Sequence, residues 1–135
     1  MSRKYLLGIV LTLCALGLQL GAKVNPHADG PSLAGRYVAG ADTMALSVDD
    51  SGQVEGFYMR AGSFGEISGK LTNGTIVGTW MESAGSAACA AKMRDYSSWG
   101  RVEASLDSEG RLAVQFGACE DSRVGSASWI LHRKE

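Results

Sequence analysis

Apolar and polar residues alternate along most of the chain in short runs, and turn-forming residues separate the runs. Because successive side chains of a β-strand point to opposite faces, a two-residue period predicts a strand with one buried face. No segment keeps the period of an amphipathic helix, so we predict an all-β fold with eight strands. The residues expected to share the interior face are Leu33, Gly35, Tyr37, Met44, Leu46, Val48, Val54, Gly56, Tyr58, Ile67, Gly69, Leu71, Ile76, Gly78, Trp80, Val102, Ala104, Leu106, Leu112, Val114, Phe116, Ala127, Trp129 and Leu131.

The connections between these runs are short and carry turn signals. Asn73-Gly74 predicts a two-residue type I′ hairpin, which needs a positive φ at both positions. The segments 49–52 and 107–110 predict two further turns. Tight turns favour antiparallel neighbours, so we predict a single domain over 33–135, an antiparallel up-and-down meander that closes into an eight-stranded barrel. A two-sheet β-sandwich with the same strands is the alternative.

Residues 1–22 have the pattern of a secretory signal peptide. Two basic residues precede an uncharged apolar run at 5–20, and Ala22 offers a small residue at the cleavage site. The run has 16 residues, whereas a membrane-spanning helix, the alternative, needs about 20. Residues 23–32 are rich in turn formers and predict a flexible lead. We therefore expect a secreted or periplasmic protein without a membrane anchor after cleavage.

Cysteine count and charge agree with export. Cys14 would leave with the signal, and the remaining pair, Cys89 and Cys119, predicts one disulfide in an oxidising compartment. A reactive or metal-binding thiol pair is the alternative, although no C-x-x-C spacing supports it. Loss of two of the 13 basic residues leaves 11 against 14 acidic residues, a net charge of −3. This balance argues against a nucleic-acid partner and against binding to anionic lipid surfaces.

The sequence carries no recognisable catalytic or metal-binding pattern. His27 lies in the predicted lead and His132 near the C-terminus, so they do not form a metal-ligand pair. No serine lies in a G-x-S-x-G elbow. The strand carboxylates are expected to face solvent, and they are Glu55, Glu66, Glu82 and Glu103. We therefore expect neither an enzyme nor a cofactor.

A glycine followed by any residue and then a large residue recurs at 35–37, 56–58, 69–71 and 78–80. One interpretation is that these glycines open the interior for a ligand. The other, which we favour, is that they relieve backbone crowding in a sharply coiled barrel and let aromatic rings lie over them.

The order of these motifs resembles the avidin and streptavidin family and, more loosely, the wider group of ligand-binding barrels that includes lipocalins. Gly35-Arg36-Tyr37 is similar to the family's opening strand, and the segment 52–58 is similar to its third strand. Trp80 and Ser98-Trp99-Gly100 fall near the family's pocket tryptophans. The resemblance implies an eight-stranded barrel with a ligand in its mouth, where Tyr58 would donate a hydrogen bond to the ligand.

The segment 83–99 is the longest interruption of the strand pattern, and long loops in compact domains are usually functional or disordered. It is either a contact site, with Tyr96 and Trp99 as exposed aromatic anchors, or a lid that closes one barrel end. The candidate ligand-binding residues are Tyr37, Tyr58, Trp80, Tyr96, Trp99 and Trp129. We predict a non-catalytic protein that binds a small apolar ligand in the barrel mouth. The alternative is a protein-interaction module, of the inhibitor or immunity type, that acts through its loops or outer surface.

Overall fold

The computed structural model describes residues 32–84, 88–121 and 123–135. The predicted signal, 1–22, and all of the predicted lead except Ser32 lie outside these residues. Within the described part of the chain, no helix could span a membrane. The strands are β1 Gly35–Ala39, β2 Asp42–Val48, β3 Gln53–Arg60, β4 Ser63–Thr72, β5 Thr75–Glu82, β6 Ser98–Leu106, β7 Leu112–Phe116 and β8 Ala127–Arg133.

The eight strands form a closed antiparallel barrel in sequence order. Each strand pairs with the one before it, and β8 returns to β1 through the pairs Tyr37 with Arg133 and Val38 with His132. Closure leaves no edge of these eight strands free for pairing with another chain. The predicted all-β meander barrel is therefore confirmed, and the two-sheet alternative is wrong.

The predicted hairpin at Asn73-Gly74 is confirmed by its backbone, because φ is 51° at Asn73 and 77° at Gly74. The turn after β2 is held by Asp49, whose carboxylate accepts the backbone N–H groups of Ser51 at 2.8 Å and Gln53 at 2.9 Å. A short polar side chain such as Asp49 accepts hydrogen bonds from the backbone of its own turn, which explains why local sequence was enough to predict the turn.

The interior is packed by the alternating residues predicted to face it. The core side chains that are at most 8 % exposed are Leu33, Tyr37, Met44, Leu46, Val54, Tyr58, Ile67, Ile76, Trp80, Val102, Ala104, Leu112, Val114, Phe116, Trp129 and Leu131. Phe116 and the two tryptophans bring large rings to one end of this core. The centre of the barrel is consequently filled with side chains.

Two close approaches explain why glycine stands on the interior faces of β4 and β5. A Cβ on Gly78 would lie 2.2 Å from the carbonyl oxygen of Ser68 and 2.6 Å from the Cα of Gly69. A Cβ on Gly65 would lie 2.2 Å from the ring of Tyr58. At these positions the glycines admit a neighbouring backbone and an aromatic ring, as in the interpretation that we favoured from the sequence.

One end of the barrel is plugged. The Tyr37 hydroxyl donates to the carbonyl oxygen of Leu33 at 2.8 Å, and the Arg133 guanidinium donates to the same hydroxyl at 2.8 Å. The Arg133 guanidinium also lies 5.0 Å from the centre of the Tyr37 ring and donates to the carbonyl oxygens of Ala34 and Ser32. These contacts seal the end where β1 begins and β8 ends.

Candidate functional site

The opposite end of the barrel carries a recess of about 190 Å³, which we call the mouth recess. It lies where β3, β5 and β7 end and where β6 and β8 begin. Its lining combines aromatic, charged and small residues, and they are Arg60, Trp80, Glu82, Ser98, Phe116, Gly117, Ala118, Ser126 and Ala127. Small-molecule sites usually enclose about 300–1,000 Å³, so this recess would hold a compact ligand or the end of a longer one.

Four aromatic rings are packed together at the mouth end. Phe116 lies 6.0 Å from Trp80 and 6.4 Å from Trp129 between ring centres. Tyr58 lies 5.9 Å from Trp129 and 6.3 Å from Phe116. Trp80 is further anchored because its indole N–H donates to the carbonyl oxygen of Gly117 at 2.7 Å. The aromatic wall of the recess is therefore held in place before any ligand arrives.

Arg60, the last residue of β3, brings a positive charge to this aromatic cluster. Its guanidinium carbon lies 5.1 Å from the centre of the Phe116 ring and 5.4 Å from that of Trp129, within the range of cation–π attraction. No ion pair within 4.0 Å holds Arg60 among the described residues. Its planar N–H donors are thus positioned by aromatic rings rather than by a protein carboxylate.

Glu82 supplies the opposite charge. The Tyr58 hydroxyl donates to a Glu82 carboxylate oxygen at 2.9 Å. Burial raises the pKa of Tyr58, and the charge and hydrogen bond of Glu82 raise it further, whereas Arg60 lowers it. The phenol therefore stays protonated and donates to Glu82. The expectation that Glu82 faces solvent is wrong, because it lies on the same face of β5 as Trp80, two residues earlier.

Ser98, the first residue of β6, is the most unusual polar group of the recess. Its side chain is 2 % exposed, and its hydroxyl has no hydrogen-bond partner in the described part of the chain. Ser98 is paired in register with Glu82 on β5. A buried hydroxyl without a partner costs about 1–3 kcal/mol, so native proteins usually satisfy such a group. Ser98 is the one residue of the recess lining whose buried hydroxyl lacks a partner within 32–84, 88–121 and 123–135.

The structure brings three of the six candidate residues together. Tyr58, Trp80 and Trp129 belong to the aromatic cluster at the mouth. Tyr37 lies at the plugged end. Tyr96 and Trp99 lie outside the barrel, as described next, so the six do not form a single site.

The described part of the segment between β5 and β6 packs against the outer wall. The Cys89–Cys119 disulfide, with 5.3 Å between the Cα atoms, joins this segment to the chain after β7, which confirms the predicted pairing. The Trp99 indole N–H donates to the carbonyl oxygen of Ala91 at 2.7 Å. Partial burial raises the pKa of Tyr96, and the neighbouring Glu66 carboxylate on β4 raises it further. These contacts place Tyr96 and Trp99 on the outer wall instead of over the mouth.

Sequence reasoning missed three residues that define the recess, namely Arg60, Glu82 and Ser98. Arg60 stands two positions after Tyr58, and Glu82 stands two positions after Trp80; both partners were predicted to face inward. Ser98 stands two positions before Gly100, a glycine of the same face. The two-residue period therefore contained the signal. Charge and polarity at strand ends led us to assign these side chains to solvent or to leave them unassigned.

Within 32–84, 88–121 and 123–135, no group of three metal-ligating side chains is present. The fold and the recess together define the class of protein: a small closed antiparallel β-barrel, plugged at one end and recessed at the other, with aromatic and charged residues around the recess. No protein-family model matches the chain, and neither a curated protein nor a solved structure matches it.

Proposed function

We propose that this protein is an exported, non-catalytic binding protein that holds a compact ligand in the mouth recess. The observation that carries the proposal is Ser98, a residue of the recess lining whose buried hydroxyl has no partner in the described residues. A ligand group that bonds this hydroxyl would remove the cost of leaving it unsatisfied.

The ligand's chemistry follows from the lining. Trp80 and Phe116 offer apolar surface to the body of the ligand, in keeping with an apolar small molecule. Arg60 and Ser98 offer donors, so the ligand should also carry an acceptor such as a carbonyl or carboxylate oxygen. Glu82 can accept a hydrogen bond through the carboxylate oxygen that does not face Tyr58. An eight-stranded barrel has an interior wide enough to be packed or to hold one small ligand. Here the packed core extends to Trp80 and Phe116, which form the inner side of the recess.

The resemblance to avidin-like and lipocalin-like barrels supports a ligand at this end of the barrel, although it does not identify that ligand. The role it implies for Tyr58 needs a free phenolic proton. In this protein that proton is engaged by Glu82. We therefore assign ligand contact to Arg60 and Ser98 and give Tyr58 the role of holding Glu82.

Export is the second part of the proposal. The Cys89–Cys119 disulfide supports it, because disulfides persist in the periplasm and outside cells and are rare in the cytosol. We expect a mature chain that begins near Lys23. Intact-mass measurement of exported material tests this, and an uncleaved N-terminus or two free thiols would contradict it.

The binding proposal is tested by a thermal-shift screen of small carboxylic acids, amides and alcohols with alkyl or aromatic bodies, followed by calorimetry. We expect acceptor-bearing compounds to bind the wild type and to lose affinity for Arg60→Met, which keeps the apolar stem and removes the guanidinium. The matched control is Arg123→Met, since Arg123 is exposed, pairs with Asp121 and is not among the residues that line the recess. Equal binding by both variants, or no binding to the wild type, would refute the proposal.

A further inference from the structure

A furrow runs along the outer wall of the barrel, away from the mouth recess. Its volume is about 320 Å³. The floor is β2, whose outward side chains there are Thr43 and Ala45, both small. Larger side chains on the neighbouring strands form the two banks. The furrow therefore exists because β2 presents small residues between strands that present large ones.

One bank of the furrow is apolar and exposed. Phe57 and Met59 on β3 are 52 % and 41 % exposed, and Phe64 on β4 is 39 % exposed. The rings of Phe57 and Phe64 are stacked with their centres 5.9 Å apart. Contiguous exposed apolar surface of this kind marks interaction sites, whereas isolated exposed residues do not.

The other bank combines an apolar residue with positive charge. Val38 lies beside Thr43, and Arg36 lies beside Ala45. Lys134 is next to Arg36, because its backbone N–H donates to the Arg36 carbonyl oxygen at 2.9 Å. The charged residues that line the furrow are both basic, and neither forms an ion pair within the described chain.

We infer that this furrow binds a single-chain amphiphile with an anionic head group, such as a fatty-acid-type alkyl carboxylate. Arg36 and Lys134 would hold the carboxylate, and the alkyl chain would lie on β2 against Phe57, Met59 and Phe64. The floor of the furrow is a single strand, β2, between β1 and β3, which suits an alkyl chain better than the convex surface of a second barrel. Charge complementarity selects an anion over a neutral or cationic amphiphile.

The inference is tested by calorimetric titration with decanoate below its micelle concentration, in the Arg60→Met background so that an alkyl carboxylate held in the mouth recess does not contribute. Decyltrimethylammonium, with the same chain and the opposite charge, is the ligand control. We expect decanoate to bind. Ala45→Phe, which fills the exposed floor of the furrow, should weaken decanoate binding about tenfold or more, equivalent to about 1.4 kcal/mol. Gln115→Phe, at an exposed site on β7, is the matched control and should leave binding unchanged. The double variant Arg36→Ala/Lys134→Ala should remove the preference for the anion.

Three results would overturn the inference. Equal affinity for both amphiphiles would show that charge does not select the ligand. Wild-type decanoate binding that survives Ala45→Phe and disappears in Arg60→Met would place the amphiphile in the mouth recess. Self-association of the wild type that Ala45→Phe abolishes, without decanoate binding, would identify a second copy of the chain as the occupant.

Discussion

Replacing Ser98 with alanine should stabilise the ligand-free protein, although most substitutions of buried residues destabilise proteins. The Ser98 side chain is 2 % exposed and its hydroxyl has no partner among the described residues. Leaving such a hydroxyl unsatisfied costs about 1–3 kcal/mol, and alanine removes the hydroxyl without adding volume. Because the oxygen also makes packing contacts that alanine loses, we expect a net gain near the lower limit, about 1 kcal/mol.

For a domain of about 100 residues, a gain of 1 kcal/mol raises the melting temperature by about 4 °C or more. Thermal unfolding followed by circular dichroism measures this directly. Ser47→Ala is the control, because Ser47 lies on the exposed face of β2 and its hydroxyl donates to the carbonyl oxygen of Glu55. Its effect should stay within about 0.5 kcal/mol.

The same Ser98 variant should bind acceptor-bearing ligands more weakly than the wild type. Higher stability combined with weaker binding is the signature of a polar group kept for a ligand. A melting temperature that falls by several degrees would show that the hydroxyl already has a partner in the free protein. The assignment of Ser98 to ligand binding would then be wrong.

Three further outcomes follow from the structure. Replacing Cys89 and Cys119 with alanine should lower the free energy of unfolding by about 3–4 kcal/mol in denaturant titrations, because the bond closes a separation of 30 residues; a loss below 1 kcal/mol would contradict this. Gly78→Ala should cost about 1–3 kcal/mol in thermal melting, since its Cβ would lie 2.2 Å from a backbone oxygen of β4; unchanged melting would show that the strands can separate there. The backbone N–H of Arg111 lowers the pKa of Asp107 most strongly, so the stability from this carboxylate is present above about pH 3.9 and is lost as the pH falls through the lower folded pKa. Asp107→Asn should flatten that acid loss in pH-dependent melting, and an unchanged acid profile would count against it.

Local chemistry determined most of the fold. The two-residue period assigned the inward face of every strand, because strand geometry sends neighbouring side chains to opposite sides. The Asn73-Gly74 dipeptide determined its hairpin, because few residues tolerate two successive positive φ angles. An even number of cysteines after the predicted signal predicted the disulfide. Each of these features depends on residues close in sequence or on a simple count.

The tertiary structure decided which inward side chains meet. Arg60 on β3 reaches Phe116 and Trp129, which lie on β7 and β8, only because closure of the barrel brings those strands across the mouth. Alternation identifies a face but does not give the height of a residue in the barrel, since strands in a barrel are tilted and staggered. For that reason Tyr37 and Trp80 share the interior but lie at opposite ends.

The outer wall shows the same limit of sequence reasoning. Met81 points outward by alternation, yet it is 1 % exposed, and we infer that the segment before β6 covers it. The described part of that segment is held by the disulfide to Cys119, by the contact of Tyr96 with Glu66 on β4 and by the hydrogen bond from the Trp99 indole to Ala91. The sequence by itself determined the strands, their faces and their turns, because these depend on local geometry. Only the tertiary structure decided which end is open and which polar groups line it, because those properties depend on contacts between residues far apart in the chain.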